Sequence, residues 1–259
     1  MKNTIHILGK ELRSYFVSPV AYVVLTGYVV LTGWFFFNLL IQFNRILSMY
    51  EMFRRPDIVM QMNLNDMVMT PLFYNMTIVL LIMIPLITMR LLAEEKKLKT
   101  DELLLTSPIS VNAIVFGKYL ASLCFFLVML LLTSIYPLML FSYGSPPPES
   151  GSIISGYIGL FLLGASFLAV GLFSSSITEN QIVAAVICFV ALLLFFVIGW
   201  PSETLGSTGG KILDYLSLIE HFTDFSKGLI ESKHIVYFLT FITFALFLTK
   251  RSVESLRWR

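Results

Sequence analysis

The sequence predicts an all-α membrane protein, six transmembrane helices preceded by an amphipathic helix at the membrane interface. Three observations carry that prediction. Of 259 residues, 57% are hydrophobic and only 13% charged, with a mean hydropathy of +0.83, whereas soluble domains carry about a quarter of their residues as charges. Apolar runs of about 20 residues, the length that crosses the hydrocarbon layer, recur along the chain. The lysines and arginines between those runs are unequally divided. An ordinary soluble enzyme is excluded, and a net charge of +2 is too small to point to nucleic acid.

Residues 1–18 read as the interfacial amphipathic helix. Ile5, Leu8, Leu12, Tyr15 and Phe16 repeat at helical spacing, while Lys2, His6, Lys10, Arg13 and Ser14 lie elsewhere, a basic helix suited to anionic headgroups. Ser18 and Pro19 then turn the chain into the bilayer. The apolar run that follows is too long for the core of a cleaved signal peptide, so it is expected to remain as a span. Residues 19–259 form one six-span domain, with spans at 19–43, 71–89, 113–143, 153–173, 182–200 and 234–249. The sixth is short, reaching about 24 Å at a rise of ~1.5 Å per residue. Pro85 is expected to kink the second span. In the fourth, Ala165 and Ala169 make a small-xxx-small step, and Gly156, Gly159, Gly164 and Gly171 thin the same helix, which favours close helix packing.

Six spans place both termini on one side. The tails and even-numbered loops carry 12 of the 18 Lys and Arg residues and the odd-numbered loops 6, so the positive-inside rule puts both termini in the cytoplasm. Trp200 and Trp258 fall at the expected interfaces. Lys118, one turn inside the third span, is expected to snorkel to the cytoplasmic face. No other ionisable group must lie near mid-membrane, which argues against an ion-coupled carrier. None of His6, His221 and His234 lies deep in a span, which leaves no base for an intramembrane hydrolase. The Gly-Lys pairs at Gly9, Gly117 and Gly210 are followed by Glu11, Tyr119 and Ile212 rather than Ser or Thr, so none is a phosphate-binding loop. Cys124 and Cys188 sit in apolar runs and imply neither a disulfide nor a metal site. Energy for any work must come from a partner.

The stretch between the second and third spans is the most informative. It begins Arg90-Leu-Leu-Ala-Glu94-Glu95-Lys96-Lys97-Leu98-Lys99-Thr100-Asp101-Glu102 and turns apolar at Leu103, Leu104 and Leu105 before Ser107 and Pro108. Glu94 with Lys97, and Glu95 with Lys99, have the spacing of helical ion pairs. A solvated loop has no use for the leucines, so this helix is expected to lie against a partner or the bilayer.

This loop resembles the second cytoplasmic loop of the membrane subunits of ABC-2 type ABC transporters, through Thr100, Glu102, Leu103, Thr106, Pro108 and Ser110; Lys99 stands where that pattern has glycine. KELRSYFVSPVAYVV from Lys10, GLFSSSITENQIVAA from Gly171 and LSLIEHFTDFSKGLIESKHIVYF from Leu216 are similar to the gliding-motility-associated permease subgroup. The resemblance implies a half-transporter of the bacterial inner membrane, paired with a second permease, itself or a paralogue. It also implies a cytoplasmic ABC ATPase dimer that binds Mg-ATP, so that this chain has no cofactor, and a further membrane subunit with an extracytoplasmic domain. Residues 94–106 would be the coupling helix, with Glu94, Glu95, Thr100, Asp101 and Glu102 as polar contacts and Leu103 as the apolar one.

The loop 201–233 would carry outer re-entrant helices, and Leu216, Ile219, Phe222, Phe225 and Leu229, at helical spacing, would form an outer gate. The pair Glu220 and His221 on it reads as surface hydrogen bonding. Met49, Met52, Met60, Met62, Met67 and Met69 in and before the first outer loop would suit Cu(I), although methionine in place of leucine explains the pattern more simply. Absence of buried charge suits a lipid-like, lipid-linked or extended peptide substrate. Two other readings stay open at this point: an ATPase-independent channel or carrier, and a membrane anchor for a surface machine.

Overall fold

A computed structural model describes residues 2–53, 62–100, 109–144, 147–203 and 206–256. Among these the regular structure is helical throughout: α1 (Lys2–Val17), α2 (Pro19–Met52), α3 (Thr70–Thr88), α4 (Ala93–Lys97), α5 (Val111–Thr133), α6 (Ile135–Tyr143), α7 (Ser150–Ile177), α8 (Gln181–Val197), α9 (Gly206–Leu216), α10 (Leu218–Ser226) and α11 (Ser232–Leu256). A π-helical turn, Asn65–Met69, leads into α3. Among the described residues five stretches are long and apolar enough to cross a membrane: Pro19–Met52, Asn65–Lys97, Val111–Tyr143, Ser150–Ile177 and Ser232–Ser255. Helix α8 has 17 residues, about 25 Å at ~1.5 Å per residue.

The short helix is therefore α8 and not the last one. Helix α11 runs 25 residues from Ser232, because Ser252 and Glu254 extend the helix past the apolar core as an ordinary polar end. The expected third span is kept as one stretch, Val111–Tyr143, whose helix is interrupted at Ser134. Pro137 has no N–H to offer the Thr133 carbonyl, and the Thr133 and Ser134 hydroxyls donate back to the carbonyls of Leu130 (2.8 Å) and Leu131 (2.7 Å). Helix α3 continues through Pro85 without ending.

The bundle has two distinguishable ends. At the basal end α1, α4 and the last turns of α7 and α11 meet; at the distal end α10 meets the starts of α3, α7 and α11. Helix α7 is the hub, touching α3, α5, α8, α10 and α11. Its glycines make that possible. A Cβ on Gly156 would lie 2.1 Å from the Phe73 ring, on Gly164 2.2 Å from Phe126, on Gly159 2.5 Å from Phe225 and on Gly171 2.3 Å from the Thr88 hydroxyl. Ala165 and Ala169 are buried on the same helix, and Tyr119 donates a hydrogen bond to the Ala165 carbonyl at 3.1 Å.

The surface is apolar where a soluble protein's would be polar. Along α2 only a thin stripe from Ala21 to Phe36 is buried, while Val23, Val30, Trp34 and Phe37 are exposed. Buried hydroxyls at Thr32, Thr77, Thr88, Ser166 and Ser174 each donate to a carbonyl one turn back, the way polar side chains are satisfied within apolar surroundings. Helix α1 docks across the start of α5. Gly117 admits Ile7, whose side chain would be 2.8 Å from a Cβ there, and Tyr15 stacks on Phe125 at 5.0 Å. The docked stripe includes Glu11 and leaves Ile5 and Phe16 exposed, an offset from the purely apolar stripe that the periodicity predicts.

Candidate functional site

The basal end is built around the segment that follows α3. After Thr88 the chain makes a turn, closed by Leu91 N–H on the Thr88 carbonyl at 3.1 Å. It enters α4 at Leu92, which has no side-chain cap of its own. The cap comes from α7: the buried Ser175 hydroxyl accepts the N–H groups of Leu92 and Ala93, both at 3.0 Å, and donates to the Met89 carbonyl at 3.1 Å. A serine from another helix thus satisfies two amides that a local Ser or Asp would satisfy elsewhere.

Helix α4 stops after five residues instead of running on toward Ser107. Thr100 N–H bonds to the Glu95 carbonyl and Lys99 N–H to that of Lys96, both at 3.0 Å, the double closure of a Schellman C-cap. Lys99 holds φ +55°, a conformation that glycine adopts without cost. The turn made by the expected glycine is kept, with lysine in its place.

Charge at this end is organised by Lys118. It is 2% exposed, and its Nζ lies 2.9 Å from Glu11 Oε1 on α1 and 2.9 Å from Glu95 Oε1 on α4. The expected snorkelling does not occur, because both partners come to the amine. Glu95 accordingly turns inward, and the expected pair with Lys99 is not formed. Arg90 donates to the Ser18 hydroxyl at 2.9 Å, at the junction of α1 and α2. Lys96 and Ser252, the latter on α11, both donate to the Ser176 carbonyl. A cavity of about 600 Å³ opens beside the triad, lined by Lys10, Glu11, Arg90, Glu94, Glu95 and Lys118 among others.

Of the predicted contact residues, Glu94 lines this cavity, Glu95 is in the triad, and Thr100 closes α4. Asp101, Glu102 and Leu103 lie outside the described residues, as does Met60. Sequence reasoning missed Glu11 as the partner of Lys118, and Ser175. A usable signal existed for the first: a lysine inside an apolar run needs a counter-charge.

At the distal end, Ser217 caps α10 by accepting Glu220 N–H at 3.4 Å. Leu218, Phe222 and Phe225 are fully buried, Ile219 is half-buried, and Leu216 and Leu229 are exposed. The five predicted gate residues therefore do not share one surface. Two wedge into the bundle beside Gly159, and Tyr74 reaches α10 through a 2.6 Å bond with the Thr223 hydroxyl. His221 is buried rather than at the surface. Its Nε2 is 3.0 Å from the Tyr215 carbonyl and its Nδ1 2.6 Å from Nδ1 of His234, whose Nε2 is 2.8 Å from Asp224 Oδ2. The His221 ring also stacks on Tyr237 at 3.8 Å. Burial holds the His221 imidazole below its usual range. The separation of 13 between the two histidines matches no helical period, so their pairing was not readable in advance.

A family model described as ABC-2 family transporter protein matches residues 57–224, which include α3 to α9 and most of α10. No curated protein matches the chain.

Proposed function

The chain belongs to the ABC-2 transporter family, and from that premise we propose that it is a permease subunit forming half of a translocation path driven by a separate cytoplasmic ATPase. In this reading α2, α3, α5 with α6, α7, α8 and α11 cross the bacterial inner membrane. The basal end faces the cytoplasm, since the tails and even-numbered loops carry 12 of the 18 Lys and Arg residues. Helix α1 lies in the inner interface, and α9 and α10 dip into the outer leaflet as the outer gate. The substrate moves outward, a second permease completes the path, and Mg-ATP binds only the partner. The subgroup is that of the gliding-motility-associated permeases.

One observation carries the mechanism. Helix α4 is fastened to α1 and α5 through Glu95, Lys118 and Glu11, to α7 through Ser175, and to the α7–α11 contact through Ser176. A load applied to residues 94–106 by a docked ATPase therefore reaches four helices at once. Parting any attachment exposes a buried charge or strips a partner from a buried amide. ATP-driven motion enters as different contacts in two states, and a rigid lever transmits it.

Copurification in mild detergent tests this directly. Wild type should bring down a nucleotide-hydrolysing subunit and the second permease, and a Glu102→Arg, Leu103→Asp variant should lose the ATPase while remaining folded. Wild type isolated alone at native expression levels, with no hydrolysis, would refute the ATPase-driven reading.

A further inference from the structure

The distal histidine chain contains one more hydrogen-bond position than two neutral rings can fill. Four ring nitrogens span from the Tyr215 carbonyl to the Asp224 carboxylate through three short contacts, and both end groups are acceptors. The carbonyl requires a proton on His221 Nε2. Two neutral rings carry two N–H groups for these three contacts, so the contact of His234 Nε2 with Asp224 Oδ2 at 2.8 Å is the one where a further cation fits.

Glu231 supplies a second carboxylate. Ligand atoms of Asp224, Glu231 and His234 all lie within 4.8 Å of one another. His234 is only 4% exposed and anchored in α11, Asp224 is on α10, and Glu231 lies in the connection between them. Lys233 pairs with Glu231 Oε2 at 2.6 Å, and a carboxylate has a second oxygen to offer. Ligand atoms around a tetrahedral zinc are separated by about 3.3 Å for bonds of ~2.0 Å, so the exposed Glu231 arm has only a small distance to close.

We propose that His234 Nε2, Asp224 and Glu231 form a binding site for a divalent transition metal of the zinc class, with His221 as the residue that orients His234. An imidazole and two carboxylates are an appropriate donor set for Zn²⁺, whose charge two carboxylates neutralise. A metal-bound histidine that donates its other N–H to a fixed acceptor is the usual outer-shell arrangement. His221 is such an acceptor, held by the Tyr215 carbonyl and by stacking on Tyr237. The bound metal clamps α10 to α11 at the distal end and limits how far the short helices can part from the bundle. This inference is independent of any ATPase partner.

The test uses the full chain in detergent, free of affinity tags, stripped with EDTA and titrated with Zn²⁺ against a chromogenic chelator in the presence of excess Mg²⁺. Wild type should bind one Zn²⁺ per chain, and its thermal midpoint should rise on binding. Asp224→Asn and Glu231→Gln should each weaken binding at least tenfold. His221→Phe, which retains all three ligands, should weaken it by about 10- to 100-fold. Glu231 is exposed, so its variant should fold with an unchanged metal-free midpoint and lose only the zinc-dependent rise. Binding by wild type no tighter than by the Asp224→Asn, Glu231→Gln double variant would overturn the proposal and leave a proton as the cation between His234 and Asp224.

Discussion

The two ends of the bundle solve the same electrostatic problem at different ranges. At the basal end one amine, Lys118, is held between carboxylates 107 and 23 residues away in sequence. At the distal end His234 meets Asp224 and His221 across 10 and 13 residues. The basal arrangement adds an ionic tie to helices that also pack directly, Ile7 against Gly117 and Tyr15 on Phe125. The distal one closes a local corner between α10 and α11. A network of long reach can transmit displacement through the bundle, whereas a local one governs a single element, which fits the proposed coupling role at the basal end and the proposed latch at the distal one.

The largest expected effect comes from breaking the long-range network. Lys118→Met leaves Glu11 and Glu95 as unpaired, partly buried carboxylates facing each other and should cost about 2–4 kcal/mol, seen as a lowered unfolding midpoint in detergent. Replacing all three, with Glu11→Gln and Glu95→Gln added, should recover most of that loss. If the triple variant is as unstable as the single one, the triad is not an ionic network.

A steric change at the distal end should act more narrowly. Gly159→Ala places a methyl group against Phe225 and should cost about 1–3 kcal/mol. Hydrogen exchange should accelerate in 218–226 while amides of α4 keep their protection. Faster exchange at both ends would erase the distinction between them.

Ser175→Ala removes the acceptor for two buried N–H groups at the basal end and should cost about 1–2 kcal/mol. Exchange at Leu92 and Ala93 should rise first. The smallest effect is a gain: Lys99→Gly relieves a left-handed lysine and should stabilise by up to ~1 kcal/mol. A loss of stability there would mean that the Lys99 side chain makes a contact worth more than the backbone relief.

Much of the fold was legible because its signals are local. Run length and apolarity set the long helices, and the glycines of α7 marked where other helices come close. The misplacements have local causes too. The polar last turns of α11 hid the length of that helix, and Pro137 adds an interruption at Ser134 inside a span whose extent was read correctly. At the candidate site, Glu94, Glu95 and Thr100 were singled out, but the role of Glu95 was assigned to a helical neighbour when its partner lies on another helix.

Composition and periodicity by themselves determine that this chain is helical and apolar outside, because those properties depend on residues within a turn or a span of one another. Only the tertiary structure decides that Lys118 is buried between Glu11 and Glu95, that Ser175 caps a helix it does not belong to, and that the rings of His221 and His234 meet. Each of these joins groups whose separation along the chain follows no period of the helix, and it is packing around α7 that brings them within hydrogen-bond distance.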